Sequence, residues 1–412
     1  MPILHTGSTE DIIETTKRLI RIPSTASNPA ALLNAVNLLA EIVEAQPDVT
    51  VERFERAGKP SFLAYRGKVR PPKFDILLNA HVDVVPAPAK MFKPRVEEGR
   101  LYGRGALDMK GTAASLTSLF CEMVQDVPYP LGLQIVSDEE VGGHDGVRLQ
   151  IDEGVKSNFV VIGEYSNDHG AIYNAARGLC WVEIKFKGKS AHSGHLWHGS
   201  NAVIKASDFA GAVLGAYPTP DKETWTTTAS IASLDTPNKT YNKVPDTAIL
   251  KIDFRFTQED PVFQNLQTLE EFITSLDPEA QLINVATFEP AVKVEELNPY
   301  VQGLSRAMEQ TTNMKPVFLG RPAGSDGRHY ALVGSDIIEF GLFGKNPHSD
   351  LEYVELSSFD EYCQIIRAFL REPIPAGLAR HRATIKYVLA SDDVAGDYQK
   401  SDVTEVFERT RD

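Results

Sequence analysis

The sequence predicts an α/β protein in two parts: a discontinuous main domain built on a mostly parallel, doubly wound sheet, and an α+β sandwich inserted into it. Three observations carry this expectation. The 412 residues exceed the roughly 250 to 300 at which a single core stops growing. Up to about residue 162, short apolar runs alternate with helix-period stretches, the texture of βαβ units. After Gly178 apolar and polar residues alternate one by one, as in antiparallel strands with one wet face, and the α/β texture returns from Pro299. The expected boundaries are 1–177 and 291–374 for the main domain, 178–290 for the insert and 375–412 for a polar C-terminal appendage.

Taken in order, Ser8 and Asp11 are spaced as a capping box, and Ile12, Ile13, Leu19 and Ile20 share one face of a first helix stopped by Pro23. Asn28 and Pro29, a cap followed by proline at the first helical position, open a second helix to about Glu44. Strands are expected at 49–54, 62–65 and 75–85, and the last, DILLNAHVDVV, reads as a buried central strand. A helix over 110–124 precedes buried strands at 131–136 and 159–162, with a helix near 146–152 between them. The insert reads as strand 181–187, helix 201–214, strands 227–234 and 248–256, helix 261–275 and strand 281–288. Helices at 301–310 and 357–370 complete the main domain.

Composition narrows the function classes. Acidic residues outnumber basic ones 56 to 42, for a net charge of −14, which argues against a nucleic-acid or anionic-membrane partner and serves solubility. Cys121, Cys180 and Cys363 are scattered without a CxxC spacing, so a reducing cytoplasm fits better than a disulfide framework. The start, MPILHTGSTEDII, lacks the pattern of a secretory signal, and no apolar run approaches the ~20 residues of a membrane span. A cytoplasmic location is therefore expected.

The chemistry sits where buried strands end, the place where open α/β sheets collect ligands. On a continuous strand His81 and Asp83 of NAHVDVV point to one side, and a carboxylate beside a histidine fixes the tautomer that binds a metal. Asp108 lies between a glycine-rich turn and a helix start in GRGALDMKG. Asp138, Glu139 and Glu140 follow one strand in VSDEEVGG, and Glu164 follows another in VVIGEYSN. Each has a plain structural alternative: a His–Asp pair tying down a loop, an N-cap aspartate, a solvated acidic turn, an ordinary surface glutamate. Together they place more negative charge at one sheet edge than is favourable without cations. Oxygen and nitrogen ligands without thiolate suit zinc, cobalt or manganese. A carboxylate shared by two ions about 3.5–4 Å apart, with a bridging water acidified towards about pH 7, makes a hydrolytic centre, and a further carboxylate would act as general base.

The motifs HVDVVP, GRGALDMKGT, SDEEVGG, GEYS, KSAHSG and PHSD, in this order between Asn79 and Asp350, resemble those of the zinc deacylase and carboxypeptidase family. That family includes acetylornithine deacetylase, succinyl-diaminopimelate desuccinylase, aminoacylase and glutamate carboxypeptidase. The resemblance implies two zinc ions per subunit, with cobalt or manganese as substitutes. His81 and Glu164 would bind the first ion, Glu140 and His348 the second, and Asp108 both. Asp83 would support His81, a cis peptide bond would follow Asp108, and Glu139 would be the general base and acid. The insert would be the lid and dimerisation domain of a homodimer, with His192 reaching the partner subunit's site to stabilise an oxyanion. His195 and His198 take no role from the family and are expected at the surface or substrate rim.

The resemblance also marks substrate contacts. Asn242 lies in YNKVPD, Gly324 and Arg328 in PAGSDGR, and Arg177 before the hinge glycine. Arginine forks suit a substrate carboxylate, and Arg255 in DFR is a further candidate, with a structural salt bridge as its alternative. The implied activity is deacylation of an N-acyl amino acid. A metallo-carboxypeptidase or dipeptidase on the same site is the alternative, and a non-catalytic metal-binding protein is a third. Glutamate at position 164 disfavours an aminopeptidase, and Gly324, where desuccinylases carry threonine, disfavours a strict desuccinylase.

Overall fold

The structure, a computed structural model, describes residues 7–322 and 324–373; the appendage expected at 375–412 lies outside the described residues. Two compact units divide the described chain, one running up to Ala176 and resuming at Lys293, the other spanning Arg177–Val292.

The first unit opens with two capped helices. Ser8 accepts the Asp11 N–H at 3.1 Å at the start of α1 (Thr9–Ile20), and Asn28 accepts the Ala31 N–H at 3.3 Å at the start of α2 (Pro29–Glu44). There follow β1 (Val49–Arg56), β2 (Lys59–Arg66), β3 (Phe74–His81), β4 (Arg95–Glu97), β5 (Arg100–Tyr102), α3 (Lys110–Met123) and β6 (Leu131–Val136). A wide helical turn, His144–Arg148, leads into α4 (Leu149–Asp152), then β7 (Ser157–Ile162) and β8 (Ala171–Ala176).

The second unit holds β9 (Gly178–Lys187), α5 (Ala202–Ala216), β10 (Thr228–Asp235), β11 (Thr247–Phe256), α6 (Leu266–Leu276) and β12 (Gln281–Glu289). Its sheet runs β10-β11-β9-β12, antiparallel throughout. The alternation on β9 does what the sequence pattern asks: Cys180, Val182, Ile184 and Phe186 are buried with Phe209 and Val213 of α5 and Leu269 and Ile273 of α6. The helix expected at 261–275 is interrupted. Pro261–Phe263 forms a short turn, and Asn265 then caps α6 in a reciprocal box with Thr268.

The chain returns through β13 (Val292–Lys293), α7 (Pro299–Thr312), β14 (Val317–Arg321), α8 (Gly327–Ala331), β15 (Asp336–Glu339), β16 (Gly344–Lys345), β17 (Tyr353–Glu355) and α9 (Ser357–Arg371). In the first unit the sheet order is β1-β2-β6-β3-β7-β15-β8, with β14 beside β8. The centre is parallel: β3 pairs with β6 and β7, and β15 pairs with β7. Antiparallel pairs occur at β1–β2, β2–β6 and β15–β8. Leu78, Leu116, Phe120, Leu133, Phe159, Leu304 and Phe369 belong to one buried cluster that joins this sheet to its helices. Complete burial of such side chains stabilises by about 1.5–3 kcal/mol each. Among the described residues no helix is long and apolar enough to cross a membrane.

One strand boundary changes the site argument. β3 ends at His81 rather than continuing to residue 85. Its neighbour β6 ends at Val136, so beyond Val82, whose N–H still donates to Val136 O at 2.9 Å, the sheet offers no partner. Val84 N–H turns to Ser24 O at 3.0 Å. Asp83 therefore leaves the pleat, and strand alternation does not set its direction.

Candidate metal centre

Adjacent parallel strands β6, β3 and β7 end side by side, and each delivers a ligand-type residue there. His81 closes β3, Asp138–Glu140 follow β6 and Glu164 follows β7. Asp108 comes from the turn before α3, whose Asp108–Met109 peptide bond is cis. Gly105 makes this turn possible: its φ is +82°, and a Cβ there would lie 2.7 Å from Lys110 Cδ. His348 comes from the loop between β16 and β17 and sits at φ +61°, a left-handed conformation that non-glycine residues adopt at a cost of about 1–3 kcal/mol.

These residues form two groups that share Asp108: His81, Asp108 and Glu164, and Asp108, Glu140 and His348, with ligand atoms within 4.8 Å of one another in each. His81 Nε2 lies 3.2 Å from Asp108 Oδ1 and 3.5 Å from Glu164 Oε1. His348 Nε2 lies 3.0 Å from the other oxygen of Asp108 and 3.2 Å from Glu140 Oε1. Close as these atoms are, His81 Nε2 and Glu140 Oε1 are buried without a hydrogen bond. Nδ1 of His81 meets the Asp83 carbonyl at 3.1 Å, which assigns the ring proton to Nδ1 and leaves the Nε2 lone pair facing the carboxylates. Converging nitrogen and oxygen donors, buried around His81 and opening to the surface at the exposed His348, fit a pair of cations of the zinc, cobalt or manganese type.

Asp83 holds the arrangement from behind. Its two carboxylate oxygens accept the N–H groups of Glu139 at 3.3 Å and Glu140 at 3.0 Å, and Oδ1 stands 3.5 Å from His81 Nδ1. Asp83 thus orders the acidic turn as well as the histidine. Asp138 points away from the two groups and accepts the Asp145 and Gly146 N–H groups at 2.7 and 3.0 Å. A Cβ on Gly146 would fall 2.2 Å from its other oxygen.

The electrostatics follow from this crowding. Burial raises Glu139 well above the carboxylate range, and Glu164, Asp326 and Glu140 add to the effect against the opposing pull of His81. Glu140 is raised by burial and by Asp108, with His348 opposing. Burial would lower the proton affinity of His81, but Asp108, Asp83 and Glu164 outweigh it and raise it well above its usual value. His348 is pushed up to about 10 by Asp108 and Glu140. Asp108 is held well below its usual value, since His348 and His81 outweigh its burial.

His192, Asn242, Arg177 and Arg255 belong to the second unit. His192 is exposed, and its Nδ1 accepts the Gly194 N–H at 3.1 Å, so the neutral ring carries its proton on Nε2. His195 and His198 are exposed beside it, with Trp197 Nε1 donating to His198 Nε2 at 3.2 Å. Asn242 is exposed and gives its carbonyl to Ser193 N–H at 3.0 Å. Arg177 and Arg255 line a cavity of about 290 Å³ with Lys222, Thr224, Thr228 and Asp253. Arg255 donates from Nε and Nη2 to the two carboxylate oxygens of Asp253, at 2.9 and 3.1 Å, the salt bridge that the sequence left open. Arg177 donates to Thr226 O at 3.2 Å and Thr228 Oγ1 at 3.4 Å, and its buried Nε has no partner. Gly324 and Arg328 lie in the first unit, where a Cβ on Gly324 would stand 2.8 Å from Arg328 Nη1.

Sequence reasoning missed two buried carboxylates near the ligands. Asp326 is 1 % exposed with neither oxygen hydrogen-bonded, and it raises Glu139. Its place in GSDGR was the available signal. Glu352 bonds the backbone N–H of Asp108, and only its position four residues after His348 hinted at a role.

The comparisons with known proteins agree with this geometry. The chain is similar in fold to the aminopeptidase PepT from Bacillus cereus ATCC 10987, at 17 % identity and a TM-score of 0.70 over 89 % of this chain and 99 % of that one. It is similar to the M20 family metallo-carboxypeptidase Sso-CP2 from Sulfolobus solfataricus, at 16 % identity and a TM-score of 0.65 over 87 % and 98 %. It is also similar to the aminoacylhistidine dipeptidase from Vibrio alginolyticus, at 14 % identity and a TM-score of 0.62 over 89 % and 97 %. At these identities the likeness speaks for the fold. The family description "Peptidase family M20/M25/M40" matches residues 77–372, well over half of the chain. The chain belongs to this peptidase family and is a metallohydrolase of peptide or amide bonds.

Proposed function

We propose that the protein is a two-zinc amidohydrolase that deacylates N-acyl amino acids. The observation that carries this reading is Asp108, whose two oxygens face two separate clusters, His81 with Glu164 and His348 with Glu140. When bound there, the ions supply Lewis acidity towards the amide carbonyl and acidify water. Glu139, beside both clusters and bound to neither, takes the water proton and returns it to the leaving amine. Asp83 holds His81 through Nδ1 and so keeps Nε2 free for the ion that His81 would bind.

The enzyme acts as a homodimer through the second unit. The partner subunit's His192 donates its Nε2 proton to the oxyanion as the carbonyl is attacked. Arg177 receives the free carboxylate of the substrate, because a buried guanidinium nitrogen without an acceptor favours an anion. Asn242, Gly324 and Arg328 complete the substrate contacts. The unpaired, buried thiols of Cys121, Cys180 and Cys363 suit a cytoplasmic enzyme.

A hydrolysis panel on zinc- and cobalt-loaded protein tests this. It compares N-acetyl, N-succinyl, N-formyl and N-carbamoyl amino acids with dipeptides, each beside its C-terminal amide. The expected result is turnover of an N-acyl amino acid and loss of most kcat/KM when the carboxylate is amidated. Turnover of dipeptides alone would replace the deacylase by a dipeptidase. Equal rates on the amides would remove the carboxylate from the proposal.

A further inference from the structure

Glu352 lies in the loop before β17, four residues after His348, and is fully buried at 0 % exposed. Its Oε1 accepts the N–H groups of Leu107 at 3.0 Å and Asp108 at 3.2 Å. Oε2 is bound by the guanidinium of Arg104, itself 2 % exposed. The Glu352 carbonyl accepts Gly103 N–H at 3.3 Å. One residue of the His348 loop thus holds the Gly103–Asp108 turn at its start, through Gly103 and Arg104, and at its end, through Leu107 and Asp108.

Two loops can be held together by apolar packing with no desolvation of charge. A buried carboxylate persists only when its partners satisfy it, and its bonds are directional. Here they fix orientation at two successive N–H groups, those of Leu107 and of Asp108, the aspartate shared by both ligand groups. His81 closes β3 and Glu164 follows β7, so strand pairing places them without help from Glu352. His348 has no such support. It sits in a loop, at a positive φ, with Glu352 as the buried anchor next along the chain.

We infer that Glu352 is a positioning residue that sets Asp108 and His348 relative to each other and so determines affinity at the second metal position. This rests on the two-metal reading given above. Its mark is asymmetry: loss of Glu352 weakens the group of Asp108, Glu140 and His348 far more than that of His81, Asp108 and Glu164.

The test uses full-length protein, stripped of metal and titrated with zinc by calorimetry and chelator competition, and with cobalt by absorption. Circular dichroism and melting curves run beside the titrations. Wild type is compared with Glu352→Ala, Glu352→Gln and Arg104→Met. Glu352→Ala should keep one tight site and bind the second ion about 10- to 100-fold more weakly. Its kcat should recover with excess zinc. Glu352→Gln keeps a carbonyl for the two N–H groups and should fall between alanine and wild type. If Glu352→Ala does not fold, Glu352→Gln and Arg104→Met must carry the same asymmetry. Two ions bound with wild-type affinities, or equal weakening at both sites with only a lower melting temperature, would overturn the inference and leave a structural tie. A wild-type protein that binds fewer than two ions would instead overturn the two-metal reading beneath it.

Discussion

Glu139 stands among carboxylates and joins neither ligand group, and unlike Asp138 in the same turn it is not taken up by backbone N–H groups. Burial and its acidic neighbours raise its affinity for a proton, as suits a group that takes one from water and gives it to an amine. Glu139→Gln preserves shape and removes the acceptor. Both metals should stay bound while kcat falls by about 10²- to 10⁴-fold, with KM little changed. Metal analysis beside steady-state kinetics reads this, and near-normal turnover would remove Glu139 as the base. Single residues were legible in the sequence to very different degrees. His81, Asp108, Glu140 and Glu164 announce themselves because each adjoins a buried strand or a glycine turn. His348 is a lone loop histidine, found through the family resemblance alone. Glu352 stayed hidden because its partners, Arg104, Leu107 and Asp108, lie more than two hundred residues away. No local pattern encodes such a bond.

Elements with local signals were the most readable. The caps at Ser8 and Asn28 mark α1 and α2 because a side chain there satisfies N–H groups of the same turn. Strands β8, β14 and β15 went unread because distant partners rather than periodicity define them. The overrun of β3 has the same origin, since VDVV alternates well but β6 has already ended. The proposed homodimer directs attention to α5 and the edge strand β10. Ile204, Ser207, Gly211 and Gly215 lie on the exposed face of α5, and a Cβ on either glycine meets nothing within 4 Å. This face, on which Asp208 is also exposed, lies beside an open strand edge and is where the proposed homodimer would form. Gly211→Arg adds no clash within the subunit and improves helix propensity by up to about 1 kcal/mol, so the fold should hold. Light scattering should find a monomer that keeps both metals and loses most activity, and His192→Ala should lose activity as a dimer. A dimeric Gly211→Arg protein would move the interface elsewhere, and a fully active monomer would end the role of the partner subunit's His192.

On the scale of the whole molecule, the first unit concentrates buried acid where a net charge of −14 already opposes it. The folded state without metal therefore depends on protons. Glu139, Glu140 and Asp326 are raised in the fold, chiefly by burial. His81 and His348 are raised by the carboxylates they face. All five bind protons more tightly folded than unfolded, so the native state carries the excess and its stability falls as pH rises. For the glutamates the loss begins above their usual 4.5, and for His348 it runs from 6.5 to about 10. Asp108 and His329, shifted the other way, act only below their usual 3.8 and 6.5, and Lys110, lowered by burial to about 7, opposes the five between about pH 7 and 10.5. Metal ions compete for the same lone pairs, so zinc displaces these protons and binds more tightly as pH rises. Its contribution to stability grows with that affinity by mass action. Calorimetric melting of chelator-treated protein should thus show Tm falling between about pH 6 and about pH 9, while zinc-loaded protein stays level or rises and the gap widens. Parallel curves would mean that the clustered carboxylates do not hold the metals, and that the acidic sheet edge is balanced in some other way.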